Sequence, residues 1–132
     1  MPDVIALEVA TPERQLVREG AAEVQVPGEN GYLGILPGHA PLLSKLGTGL
    51  LSYLAGGKRR YLAIDGGFLE VLPGQVRVLA YAAERAEDID LEGATADLKR
   101  AQERLATPGA DPSEALGAIR RAEARIAAAG HR

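Results

Sequence analysis

The chain has 132 residues, of which 25% are charged, with a formal net charge of −3 and no cysteine. These figures exclude disulfides, zinc–thiolate sites, iron–sulfur clusters and thiol catalysis, and they provide no basic footprint for nucleic acid. No run of about twenty apolar residues occurs, so no segment is expected to span a membrane, and the opening MPDVIALEVATPE lacks the basic-then-apolar order of a signal peptide.

Ile5, Leu7 and Val9 alternate onto one face, as a half-buried strand requires, and Val24 and Val26 follow Ala22 in the same way. Between Pro27 and Pro41, Gly and Pro are too dense for a regular strand throughout, yet Tyr32–Leu36 at the centre is apolar. This pattern predicts two tight turns around a short strand. Gly56-Gly57, between Leu50–Leu54 and Arg59–Tyr61, predicts a hairpin. Three further strands, Tyr61–Ile64, Phe68–Leu72 and Val76–Tyr81, are separated by Asp65-Gly66-Gly67 and Pro73-Gly74-Gln75, both read as turns.

All eight valines and all five aromatic residues precede Glu84, and glycine divides 12 to 4 about that point. Beyond it the chain is mainly Ala, Leu, Glu and Arg, which are good helix formers. The two regimes predict an α+β fold with segregated halves, an N-terminal antiparallel β-sandwich over residues 1–84 and a C-terminal antiparallel two-helix hairpin over 85–132.

In the second half, Asp88 or Asp90 is the expected N-cap. Leu91, Ala94, Leu98, Ala101 and Leu105 then form one narrow apolar stripe. Thr107–Pro112 ends that helix, and the next places Leu116, Ile119, Ala122 and Ile126 on one face, with Arg120, Arg121 and Arg125 largely elsewhere. Alanine-rich faces bury little area, each Å² contributing about 25 cal/mol. The hairpin is therefore expected to be held loosely against the sandwich, where another protein can compete for it.

Catalytic signals are sparse. There is no Gly-Lys-Ser/Thr phosphate loop and no G-x-S-x-G elbow. Lys58-Arg59-Arg60 reads as a surface turn, the carboxylates of Glu84–Asp97 as a solvated helix face, and His131 as part of a frayed tail. His39, framed by Pro37-Gly38 and Ala40-Pro41, is the odder residue, because fixed backbone on both sides would hold its ring in one direction. The residues alone describe a non-enzymatic β-sandwich adaptor carrying a detachable helical hairpin.

The stretch Gly34-Ile35-Leu36-Pro37-Gly38-His39-Ala40-Pro41-Leu42-Leu43 resembles the hallmark of the epsilon subunit of F-type ATP synthases. Asp65-Gly66-Gly67-Phe68-Leu69-Glu70-Val71 and Ala86-Glu87-Asp88-Ile89-Asp90 fall where that family has its second and third landmarks, so the resemblance runs from about Val4 to the last helix. It implies a non-catalytic central-stalk subunit whose sandwich joins the gamma subunit to the membrane c-ring. Asn30, Gly31, Tyr32, Leu33 and His39 match the rotor-contacting loop, although some members carry a carboxylate where this chain has Tyr32. The family's hairpin switches between a folded state and an extended state that reaches the alpha/beta catalytic head and inhibits ATP hydrolysis. Arg120, Arg121 and Arg125 would then face an acidic segment of the head.

Some bacterial members also bind ATP in the folded hairpin through an Ile/Leu-Asp-x-x-Arg-Ala motif. The corresponding run here is Ile89-Asp90-Leu91-Glu92-Gly93-Ala94, with Gly93 in place of the motif's arginine. Glu84, Ile89, Asp90 and Arg100 match other positions, so the resemblance implies a degenerate nucleotide site with weak or absent ATP binding, hence no cofactor, and no metal. It implies no nucleic-acid partner, and membrane association only through the complex, at the cytoplasmic face of the bacterial plasma (inner) membrane. The alternative is a free-standing β-sandwich binding module with a different partner for its hairpin.

Overall fold

The computed structural model describes residues 4–132. Valine-rich alternation in the first half yields seven strands: β1 (Ile5–Ala10), β2 (Gln15–Ala21), β3 (Glu23–Gly28), β4 (Gly31–Ile35), β5 (Leu42–Ala55), β6 (Lys58–Leu72) and β7 (Gln75–Arg85). They form one sheet in the order β2-β1-β7-β6-β5-β3-β4. Every neighbouring pair is antiparallel except β1 with β7, which run parallel. The sheet folds over on itself, so the inward side chains of all seven strands share one core that includes Leu7, Val24, Ile35, Leu51, Leu69 and Val78. This is the expected sandwich. Ile5, Leu7 and Val9 are buried together as the alternation requires, whereas Ala22 lies exposed at a bend and Ala21 is buried instead. Residues 1–3 of the expected first domain lie outside the described residues.

One expected turn does not exist. Asp65-Gly66-Gly67 lies inside β6, which runs unbroken from Lys58 to Leu72, so two of the predicted strands are one. Thr48 pairs with Asp65, and Asp65 with Ala82; two rows further on, Leu46 pairs with Gly67 and Gly67 with Ala80. Only the row containing Gly47, Gly66 and Tyr81 is missing, and the register is the same on both sides of it. The φ angles of +71° at Gly66 and +127° at Gly67 bend the strand without ending it. A Cβ on Gly67 would lie 2.1 Å from the Leu79 carbonyl oxygen, so only glycine fits where β6 and β7 approach. A Gly-Gly pair reads the same in sequence whether it turns a chain back or bends it. The Gly56-Gly57 pair does turn the chain, between β5 and β6, as expected.

Past β7, a 3₁₀ turn at Ala86–Asp88 leads into α1 (Leu91–Ala106) and then α2 (Pro112–Ala129). Asp90 caps α1, its Oδ1 accepting the Gly93 amide at 3.0 Å. Asp88 is not a cap and pairs with Arg85 at 3.0 Å. Asp111 caps α2 by accepting the Ser113 amide at 3.0 Å, and Pro112 occupies the first helical position, where its missing N–H costs nothing. Replacing Asp90 with alanine is expected to lower hairpin stability by about 1 kcal/mol, read as earlier loss of helical ellipticity on heating with the β signal unchanged.

The hairpin seam is made of buried alanines, Ala94 and Ala101 on α1 with Ala115 and Ala122 on α2. The leucines at the ends of the expected stripes are not covered, since Leu91, Leu105 and Leu116 remain 39–42% exposed. On α2 the buried seam position at that end is Ala115, not Leu116. α2 also has a second buried face that its sequence pattern did not single out. Ala124, Ala128 and Ala129 pack on Ala63, Ala86 and Ile89, with Leu50 and Tyr61 alongside. His131 is not a frayed tail: its ring stacks on Tyr61 with centroids 3.8 Å apart and planes 12° apart. Among the described residues no helix is long and apolar enough to cross a membrane.

Candidate functional site

Two regions of the sandwich offer contact surface. The first is the strand–turn unit around β4. Glu29 and Asn30 form the exposed β3–β4 turn, and Gly31 opens β4 at φ +133°. Tyr32 is 62% exposed but pinned, because its hydroxyl accepts the Leu50 amide at 3.1 Å. Its ring crosses β5 over Gly49, where a Cβ would lie 2.6 Å from the tyrosine oxygen. Leu33 turns the other way, half-buried against the core, so it seats β4 and does not join Tyr32 on the outer surface. His39 is exposed beyond the far end of β4, its amide bonded to the Leu36 carbonyl and its Nδ1 2.6 Å from the Ala40 carbonyl. Tyr32 and His39 use different partners and do not form one cluster.

The second region was not singled out in the sequence. On the outer face of β5, β6 and β7, Lys45 stands beside Phe68 and Phe68 beside Leu79, with Leu43 and Tyr81 on the flanking rows. The four apolar members, Leu43, Phe68, Leu79 and Tyr81, are 40–73% exposed, and the Phe68 and Tyr81 rings meet edge to face at 6.1 Å. Adjacent to them Arg77 and Glu70 form an ion pair at 3.7 Å. An exposed apolar band edged by charge has the composition of surfaces through which proteins associate. Alternation along β6 and β7 carries the signal, but it appears only once Phe68 and Leu79 are known to be cross-strand neighbours.

The hairpin carries the arginines. Arg125 is half-buried where α2 meets the end of β7, with its Nε 2.6 Å and its Nη2 3.4 Å from the two Glu84 oxygens. Its Nη1 reaches Asp97 of α1 at 3.4 Å, so one guanidinium joins sandwich, α1 and α2. Arg121 pairs with Asp65 at 3.8 Å, and Asp65 also accepts the Thr48 hydroxyl at 2.7 Å. Arg120 is exposed and has no ion pair among the described residues. Glu84 and Asp97 are therefore not merely a solvated face: Glu84 supplies a counter-charge that docks the hairpin on the sandwich, and Asp97 ties α1 to α2 through the same arginine. Sequence spacing could not reveal this, because Arg125 and Glu84 are 41 residues apart.

An open groove of about 390 Å³ is lined by Glu84, Asp97, Arg100, Arg104, Arg121 and Arg125. Of the expected nucleotide-site residues, Glu84 and Arg100 come together here, with Arg100 bonded to Asp97. Ile89 and Asp90 do not line the groove: Ile89 is buried under α2, and Asp90 is the helix cap. The groove holds four arginines against two carboxylates, an anion-attracting balance, but all four arginines already have carboxylate partners: Arg100 with Asp97, Arg104 with Glu114, Arg121 with Asp65 and Arg125 with Glu84. Among the described residues no group of three metal-ligating side chains converges. The Tyr53 hydroxyl is pushed well above its usual range, first by burial and then by the Glu19 carboxylate, so it stays protonated and structural.

Comparison with known proteins follows the same division of the chain. A family described as "ATP synthase, Delta/Epsilon chain, beta-sandwich domain" matches residues 4–86, and "ATP synthase, Delta/Epsilon chain, long alpha-helix domain" matches residues 87–130. The chain is 60% identical over 131 residues to an ATP synthase epsilon chain of Solibacter usitatus, covering 98% of each sequence. It is 53% identical over 106 residues to the epsilon chain of Carboxydothermus hydrogenoformans, covering 80% of this chain and 79% of that one. Among solved structures it is similar to a chain of the Euglena gracilis mitochondrial ATP synthase OSCP/F1/c-ring assembly. The TM-score is 0.83 at 28% identity, covering 99% of this chain and 84% of that chain.

Proposed function

The chain belongs to the ATP synthase delta/epsilon family, as a non-catalytic subunit of the synthase, and from that premise we propose how its two halves divide the work. The sandwich is the rotor attachment, joining the gamma subunit to the c-ring of the central stalk. The hairpin is a mobile brake that restrains ATP hydrolysis by reaching the alpha/beta head. One observation carries this reading: the sandwich has a complete core of its own, whereas the hairpin is attached through the small alanine face of α2, the arginine pairs beside it and the side chains of His131 and Arg132. Such an attachment can be exchanged for another. The apolar band of Leu43, Phe68, Leu79 and Tyr81, together with Tyr32 and His39, supplies surface for stalk partners.

A tagged copy expressed with the synthase tests the attachment. Gamma and the head subunits are expected to copurify with it, and Phe68→Glu with Tyr81→Glu should lose them while the isolated chain stays folded. Copurification of no synthase subunit would leave a free-standing binding module as the better reading. On the same reading the chain sits peripherally at the cytoplasmic face of the bacterial plasma membrane, held there by the rotor.

Gly93 bears on nucleotide binding. A side chain here would press on the cap, since a Cβ would stand 2.5 Å from Asp90 Oδ2. The chain as it stands is expected to show weak or no heat of ATP binding in calorimetry. Gly93→Arg adds a fifth guanidinium near the groove and is expected to tighten binding about tenfold, the size of one charge-assisted contact. Tight binding by the unaltered chain would overturn this expectation.

A further inference from the structure

α2 ends at Ala129, and Gly130 continues in right-handed helical geometry with φ −68° and ψ −11°. His131 and Arg132 are thereby carried back against the molecule, with their amides closing onto the Ala128 and Ala129 carbonyls. Two contacts result. The His131 ring lies flat on Tyr61 of β6, with centroids 3.8 Å apart. Arg132 Nη1 donates to the Ile89 carbonyl at 2.9 Å.

The location of these contacts matters more than their number. Tyr61 borders the alanine patch on which α2 sits. Ile89 lies between the 3₁₀ turn and the Asp90 cap, where the hairpin leaves the sandwich. Arg132 therefore ties the far end of α2 to the base of α1 and encloses the whole hairpin in one loop. Between sandwich and hairpin, α2 carries the packing, and its apolar contribution is three alanine side chains. Methyl groups bury little area, so the stacked imidazole is the largest ring surface that the hairpin brings to the interface.

We propose that His131 and Arg132 form a latch that sets how often the hairpin leaves the sandwich. Opening must unstack the imidazole from Tyr61 and remove the guanidinium from the Ile89 carbonyl before α2 can move. The two edges of α2 differ in kind. Arg121 and Arg125 can trade one carboxylate for another during movement, but the stack and the carbonyl contact are given up as soon as the end of α2 lifts. The latch rests on the hairpin mobility proposed above and identifies where that mobility is controlled.

Hydrogen exchange on the full isolated chain tests it, read at the amides of α2 with β1 and β7 as internal references. His131→Ala and Arg132→Ala are each expected to speed exchange along α2 about fivefold, the worth of one stacking or charge-assisted contact. The reference strands should be unchanged, and His131→Phe, which keeps a ring over Tyr61, should exchange like the parent. Unchanged α2 exchange in both alanine variants would overturn the latch. Equal acceleration in His131→Phe and His131→Ala would also overturn it, because stacking would then play no part. The readout uses the chain alone, so loss of copurification with gamma would refute the rotor role and leave this result standing, and the converse holds equally.

Discussion

Gly67→Ala is expected to destabilise the sandwich by about 4 kcal/mol. Two costs add. Alanine at φ +127° is strained by roughly 1–3 kcal/mol. Its Cβ would also stand 2.1 Å from the Leu79 oxygen and 2.7 Å from the Ala80 Cα, so β7 must be pushed off β6, an overpacking cost of about 1–3 kcal/mol. Backbone cannot rotate aside as a side chain can. Small domains have only about 5–15 kcal/mol in total, so the variant should unfold at a much lower urea concentration or fail to accumulate. Gly34→Ala is the matched control, because Gly34 has ordinary φ and nothing within 4 Å of its missing Cβ; its effect should lie within about 0.5 kcal/mol. Equal midpoints for the two variants would show that the bend in β6 does not need glycine.

Replacing Arg120, Arg121 and Arg125 together with alanine is expected to remove most of the inhibition of ATP hydrolysis in the assembled synthase. An exposed guanidinium–carboxylate contact contributes up to about 1 kcal/mol, so three together weaken engagement on the order of a hundredfold, and less at high salt. The single variants should not be equivalent. Arg120 has no ion pair among the described residues of the folded hairpin, so Arg120→Ala should weaken inhibition without disturbing the folded state. Arg125 is joined to Glu84 and Asp97, so Arg125→Ala removes a hold in each state and its net effect on inhibition should be smaller. Glu84→Gln is the reciprocal variant: it loosens the folded state alone and should strengthen inhibition. Inhibition unchanged in the triple variant would remove these arginines from the head contact.

The strands and helices were largely legible because alternation, Gly/Pro turns and helix caps act over short distances. Asp90 and Asp111 cap where short-range rules allow, and the Gly56-Gly57 hairpin forms where it reads. Asp65-Gly66-Gly67 was not legible as a bend, since whether a Gly-Gly pair reverses or curves a strand depends on the strands on either side. Leu116 illustrates the same limit on α2: its spacing puts it on the apolar face, but the partner helix decides which residue of that turn is covered, and Ala115 is buried in its place. The arginines were legible as a cluster, but the counter-charges on Glu84 and Asp97 were not.

By itself the amino-acid order determined the division near residue 84, the caps, the alanine-rich hairpin and the absence of thiol chemistry. These follow from composition and spacing within a few turns or strands. Only the tertiary structure decided which face of α2 docks, that Phe68, Leu79 and Tyr81 form one outer band, and that His131 reaches back to Tyr61. Each of these depends on residues far apart in the chain, and their pairing is set by how the sheet curls and where the hairpin lands. Spacing along the chain is a local quantity, and docking is not.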